Sequence, residues 1–225
     1  MKTFIFSLSL FLILTSCNTA EKKSTKEETI APLTVAEKIA NAHGFENWKN
    51  VKRIDFTFNV EVNNQKGKGR HWTWHPKTND VTMISNDTIT YNRRKIDNTA
   101  MGADRGFVND KFWLLIPFQL VWDSSATITE PKKAESPIHK ETLDMITITY
   151  SNKGGYTPGD AYDIYYDQNY MIKEWSFRQG NSAEPSLSNT FENYQDFNGI
   201  KIALDHKKDN GNWNLFFSDV EVTLK

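Results

Sequence analysis

Ile54-Asp55-Phe56-Thr57-Phe58-Asn59-Val60-Glu61-Val62 decides the fold class. Five apolar side chains alternate with four polar ones over this stretch. That is the period of a β-strand with one face buried and the other in water. Phe56 and Phe58 are expected to point inward, with Asn59 on the wet face. Gln65-Lys66-Gly67-Lys68-Gly69 then turns the chain, and Arg70-His71-Trp72-Thr73-Trp74-His75 runs back as far as Pro76. In this hairpin Trp72 and Trp74 fall beside the phenylalanines.

The same period continues outward from this pair. Val81–Ile84 and Thr88–Tyr91, split by Asn86-Asp87, read as the next hairpin. Further strands are expected at 126–129, 145–150, 161–167, 171–178, 189–197, 200–207 and 212–224. Asp167-Gln168-Asn169, Asn198-Gly199 and Asp209-Asn210-Gly211 supply turns; Asn-Gly between apolar runs is the strongest short hairpin signal among them. There is no β-α alternation and no repeat of fixed length.

Two segments break the pattern. Thr34-Val35-Ala36-Glu37 is a capping box opening a helix that carries Val35, Ile39 and Ala42 on one face and stops at Gly44. His43, beside that stop, is read as a helix-end residue rather than a ligand. Asp110 to Trp122, reading DKFWLLIPFQLVW, is the most apolar stretch beyond the N-terminus. It reads as a short helix up to Ile116, ended by Pro117, because proline disfavours helix in the residue before it. Such a helix either plugs an open sheet or forms the movable wall of an apolar cavity.

Composition bounds what this sheet can be used for. The 225 residues hold 27 basic and 28 acidic side chains, a net charge of −1, which removes the basic footprint of a nucleic-acid binder. Aromatic residues reach 13%, favouring strands and apolar cavities. A single cysteine excludes a disulfide framework and a cysteine-ligated zinc site.

That cysteine is informative by position. Lys2 precedes an apolar run, Phe4 to Leu14, too short to span a bilayer, which takes about 20 residues. Leu14-Thr15-Ser16-Cys17 follows and resembles the bacterial lipobox. Residues 1–16 are therefore expected to be a signal peptide, with Cys17 as the lipid attachment site. Residues 17–33, rich in Lys and Glu, are expected to be a flexible tether of about 20–25 Å reach. The folded domain is expected over residues 34–225.

A leading helix, aromatic meander strands, the Trp113-Leu114-Leu115-Ile116-Pro117-Phe118 plug and the late Asn193-Tyr194-Gln195-Asp196-Phe197-Asn198-Gly199-Ile200 turn together resemble the outer-membrane lipoprotein-sorting (LolA/LolB-like) superfamily. The resemblance spans roughly residues 34–225. It implies a mostly β fold, one antiparallel sheet curved into an unclosed half-barrel, with helices in the concavity and, in several members, acyl chains held there. This sequence departs from many relatives in reading Lys201-Ile202-Ala203 where a proline is usual. No polar ligand residue of the family finds a match here.

Catalytic chemistry has weaker support. His71 and His75 lie about 13 Å apart on a strand at about 3.3 Å per residue, too far to share a metal. Asp160, Asp163 and Asp167 stand among tyrosines, a composition seen in glycosidases, but Asp163 and Asp167 fall on the pleat face opposite Tyr162 and Tyr166 and read as solvated. No Gly-x-Ser-x-Gly, Gly-x-Gly-x-x-Gly or P-loop occurs.

The expectation is a non-enzymatic lipoprotein of the bacterial cell envelope, anchored at the outer membrane through lipid, without cofactor or metal. It would bind a lipid or another apolar ligand in a cavity lined by Phe56, Phe58, Trp72, Trp74, Trp113 and Phe118. The alternative is a tethered scaffold with a filled core that meets an envelope protein or a glycan through its surface.

Overall fold

The structure, a computed structural model, describes residues 32–153, 156 and 158–225. The expected signal peptide, Cys17 and the expected tether up to residue 31 lie outside the described residues. Leu33–Lys225 form one compact unit. No described helix is long and apolar enough to cross a membrane.

Helix α1, Val35–Ala42, begins with the expected capping box: Glu37 N–H donates to Thr34 Oγ1 (3.2 Å) and Thr34 N–H donates to Glu37 Oε2 (2.8 Å). It ends at His43, whose backbone N–H caps the last turn. Gly44 follows at φ 90°, where a Cβ would lie 1.7 Å from the Gly199 carbonyl oxygen. Only glycine fits there, because helix end and hairpin turn touch backbone to backbone. A short 3₁₀ turn, Phe45–Asn50, leads into the sheet.

The first sheet has the order β12-β13-β14-β1-β3-β4-β5. Its strands are β1 (Val51–Val62), β3 (Arg70–His75), β4 (Asp80–Ile84), β5 (Thr88–Asn92), β12 (Glu192–Phe197), β13 (Ile200–Lys207) and β14 (Trp213–Leu224), with β2 (Gln65–Lys66) appended to β1. The second has the order β11-β10-β9-β8-β6: β6 (Thr127–Ile128), β8 (Thr142–Thr149), β9 (Ala161–Tyr166), β10 (Ile172–Arg178) and β11 (Leu187–Thr190), with β7 (Lys132–Glu135) also on β8. Every pairing is antiparallel, and the curved sheets do not close into a barrel.

The mostly β, unclosed architecture expected from the sequence is thus present, with its hydrogen-bonded ladder divided in two. The division falls inside the expected 189–197 strand. Phe191 N–H donates to Lys173 O (2.7 Å) in the second sheet, while from Glu192 onward the chain pairs with β13 in the first. The Asn198-Gly199 turn, both residues at positive φ (55° and 82°), joins β12 to β13 as the sequence requires.

Three further differences concern the apolar helix, Asn59 and Val62. The apolar helix does not stop at Ile116: α2 runs from Met101 to Trp122 through Pro117, bending at Leu115 (φ −128°, ψ 31°). A proline at 117 deprives the Trp113 carbonyl of its helical donor, and the helix accommodates this by kinking rather than ending. Asn59 is not on a wet face. It is buried, with Nδ2 donating to Thr57 O (3.1 Å) and Ser218 Oγ (3.1 Å). Val62, expected inward, is exposed near the strand end.

Candidate functional site

Helix α2 connects β5 to β6, the end strands of the two sheets, and lies against both. Towards the first sheet it is fastened by buried charge. Asp110 accepts from Arg70 Nε (2.8 Å) and Nη2 (2.7 Å) and from Trp72 Nε1 (2.8 Å). Asp104, one and a half turns earlier, pairs with Arg93 Nε (2.7 Å) and accepts from the Tyr91 hydroxyl (3.2 Å). Phe107 sits between them, with its ring 5.4 Å from those of both Trp72 and Trp74.

Towards the second sheet the same helix presents Phe112 and Trp113 with Arg105, Val108 and Asn109, and Asp104 accepts from the Tyr156 hydroxyl (2.9 Å). The Phe112 ring lies 4.8 Å from Tyr162 and 5.8 Å from Trp175, and Trp113 lies 4.4 Å from Trp175. Between this flank and β9–β11 a cleft of about 350 Å³ remains, walled by Phe112, Trp113, Tyr162, Trp175, Phe177 and Leu187. The strand contribution follows from period two: Trp175 and Phe177 share a face of β10, and Tyr162 opposes Phe177 across the ladder.

A second, more polar cleft of about 580 Å³ adjoins it, sharing Val108 and Phe112. Arg93, Lys111, Gln119, Trp122, Tyr150 and Lys153 are among its walls. Lys111 Nζ donates to Gln119 Oε1 (3.1 Å) and lies 5.3 Å from the centre of the Trp122 ring. Among the described residues it has no ion-pair partner. Burial, with Arg93 nearby, lowers its ammonium to about 8, although Asp123 and Asp104 act the other way. The Tyr150 hydroxyl at the same wall is buried without a hydrogen-bond partner, and burial holds it protonated.

Of the residues expected to line a cavity, Trp113 borders the aromatic cleft. Phe56, Phe58, Trp72, Trp74 and Phe118 are buried in the continuous core and line neither cleft. Phe56 opposes Trp72 across the β1–β3 ladder, and Ile54 opposes Trp74, so the four rings do share the inner face. The wall residues Tyr162, Trp175, Phe177 and Leu187, and the polar pair Lys111 and Tyr150, were not singled out from sequence. Lys111 carried one signal: it is a charge one residue inside the most apolar helix.

The other candidates have structural roles. His71 and His75 both lie in β3, paired with Ile84 and Asp80. His43 is buried, Nδ1 donating to Ile39 O (2.8 Å). Asp163 is not solvated as expected; it binds Arg178 Nε (2.9 Å) and accepts from Thr147 Oγ1 (2.6 Å). Asp167 holds the following turn through the N–H groups of Asn169 (2.8 Å) and Met171 (3.0 Å).

No protein-family model and no curated protein matches the sequence. Among solved structures, the chain is similar to a LolA superfamily protein from Nitrosomonas europaea, with TM-score 0.48 and 8% identity over 85% of this chain and 94% of that one. It is also similar to a DUF1329 family protein from Desulfovibrio piger, with TM-score 0.46 and 6% identity over 84% of this chain and 91% of that one.

Proposed function

We propose that this protein is an envelope lipoprotein, anchored through Cys17 at the bacterial outer membrane, that binds the acyl chain of a lipid or a similar apolar ligand between α2 and the second sheet. The aromatic cleft of about 350 Å³ carries this reading. It falls within the range of about 300–1,000 Å³ typical of small-molecule sites. With a methylene taken as about the size of a water, roughly 30 Å³, it admits a chain of about ten to twelve carbons. Catalysis plays no part in this proposal.

Leu187→Trp tests it. Leu187 stands at the cleft wall on β11 and is only partly buried, so the larger ring can occupy the cleft without removing a core contact. Uptake of an apolar fluorescent probe should fall at least about fivefold while the melting temperature holds or rises. A wild-type protein, purified without detergent, that takes up no probe and releases no lipid on extraction would end the reading.

The scaffold alternative draws on one observation: the inner face of the first sheet is filled, with Phe107 wedged against Trp72 and Trp74. On that reading the cleft is a packing gap, and the protein partner or glycan is met elsewhere.

A further inference from the structure

We propose that the polar cleft receives the head group of a long-chain monocarboxylate on Lys111, its alkyl chain passing Phe112 into the aromatic cleft. The inference rests on the acyl-chain reading above and adds the chemistry of the ligand's polar end.

Three observations converge on it. The clefts share Val108 and Phe112, which stand one helical turn apart on α2, so a ligand in one borders the other. Lys111 is partly buried, and its ammonium contacts a neutral amide and the Trp122 ring with no carboxylate in ion-pair range among the described residues. A partly desolvated cation without an ion-pair partner gains from an arriving anion. Desolvation and the Arg93 charge lower this ammonium to about 8. The Tyr150 hydroxyl, a donor without a partner, lies at the same wall.

The surrounding charges select an anion of single charge. Arg93 is committed to Asp104. Asp123 accepts from Ser125 N–H (3.0 Å) and from Gln119 Nε2 (3.3 Å) and is not paired with Lys111. The charged side chains lining the cleft are Arg93, Lys111, Lys153 and Asp123; with Arg93 matched by Asp104 behind it, Lys111 and Lys153 stand against Asp123, an excess of one. A carboxylate matches that excess; a phosphate monoester, with close to two charges, exceeds it.

The test compares dodecanoate, dodecanol and dodecyl phosphate below their micellar concentrations by calorimetric titration, on wild type, Lys111→Met and Lys111→Gln. A charge-assisted bond is worth at least about tenfold in affinity. Wild type should therefore bind dodecanoate at least about tenfold more tightly than dodecanol, and both variants should erase that preference while dodecanol binding is retained. In wild type the preference should fade as the pH rises through about 8, where Lys111, faced by Arg93, Asp104, Asp123, Tyr150 and Lys153, loses its proton.

Equal binding of acid and alcohol by wild type, or a preference that survives both variants, would overturn the head-group site and leave the acyl cleft standing. Tighter binding of dodecyl phosphate would overturn the carboxylate assignment. Binding of none of the three would remove the cleft reading along with it.

Discussion

Acidification should unfold this protein through two buried histidines, well above the pH at which ordinary carboxylates are protonated. His43 and His206 are fully buried, and desolvation lowers each from 6.5 to about 4. In the His206 ring, Nδ1 donates to Thr190 O (3.2 Å) and Nε2 has no partner, while the rings of Phe191 (4.5 Å), Trp113 (5.6 Å) and Phe217 (5.7 Å) surround it. Because the folded value is depressed, the unfolded chain takes up protons that the folded chain refuses. Stability is therefore complete above 6.5 and is lost as the pH falls towards 4. At about 1.36 kcal/mol per unit, moving from about pH 7.5 to about pH 5 removes roughly 2 kcal/mol per histidine, or about 4 kcal/mol in all. With a urea slope of ~2 kcal/mol/M, the unfolding midpoint should drop by about 2 M. His206→Phe should halve the drop to about 1 M, whatever its effect on absolute stability, because each protein is compared with itself at two pH values. A midpoint that moves by less than about 0.5 M in wild type, or equally in both proteins, would refute the neutral buried pair.

Asp110→Asn should strand the Arg70 guanidinium. That side chain is 36% exposed and reaches water, so the cost should fall at the low end of the 3–5 kcal/mol range for a broken buried pair. At about 2–4 °C per kcal/mol for a domain of this size, melting should come about 6–12 °C earlier. A shift under about 2 °C would mean that the pair does not fasten α2. Cys17→Ser should abolish incorporation of radiolabelled palmitate and release the protein from the membrane fraction; equal labelling of the mutant would sink the anchor.

The strands were legible because their signal is local. Period two in β1, the return through Trp72 and Trp74, and Asn198-Gly199 each encode pairing within a few residues. What depended on distant partners was hidden. Asn59 alternates like a wet residue, yet Phe216 and Ser218 of β14 pair with Asn59 itself and with Thr57 and enclose it. The first half of α2 was obscured by Gly102 and Gly106, and it is held by buried ion pairs rather than by helix propensity. The aromatic residues of β1 and β3 were read as cavity walls because aromatics suit both cores and clefts. Only the placement of Phe107 against them, and of Phe112 and Trp113 on the other flank, separates the two uses.

The two flanks of α2 also differ in what it costs to part them. Lifting the helix from the first sheet would strand Asp104 and Asp110, each a buried carboxylate with several donors, at several kcal/mol apiece. Lifting it from the second sheet breaks no ion pair, only the hydrogen bond from the Tyr156 hydroxyl to Asp104 (2.9 Å). It exposes aromatic surface at about 25 cal/mol per Å², so a further 100 Å² costs roughly 2.5 kcal/mol, and an alkyl chain entering the gap covers that surface again. The kink at Leu115 lies on the C-terminal side of Phe112 and Trp113, where Pro117 has already removed a backbone hydrogen bond. A ligand that widens the aromatic cleft therefore works against the weaker of the two attachments, and the charged attachment fixes the helix that it bends against.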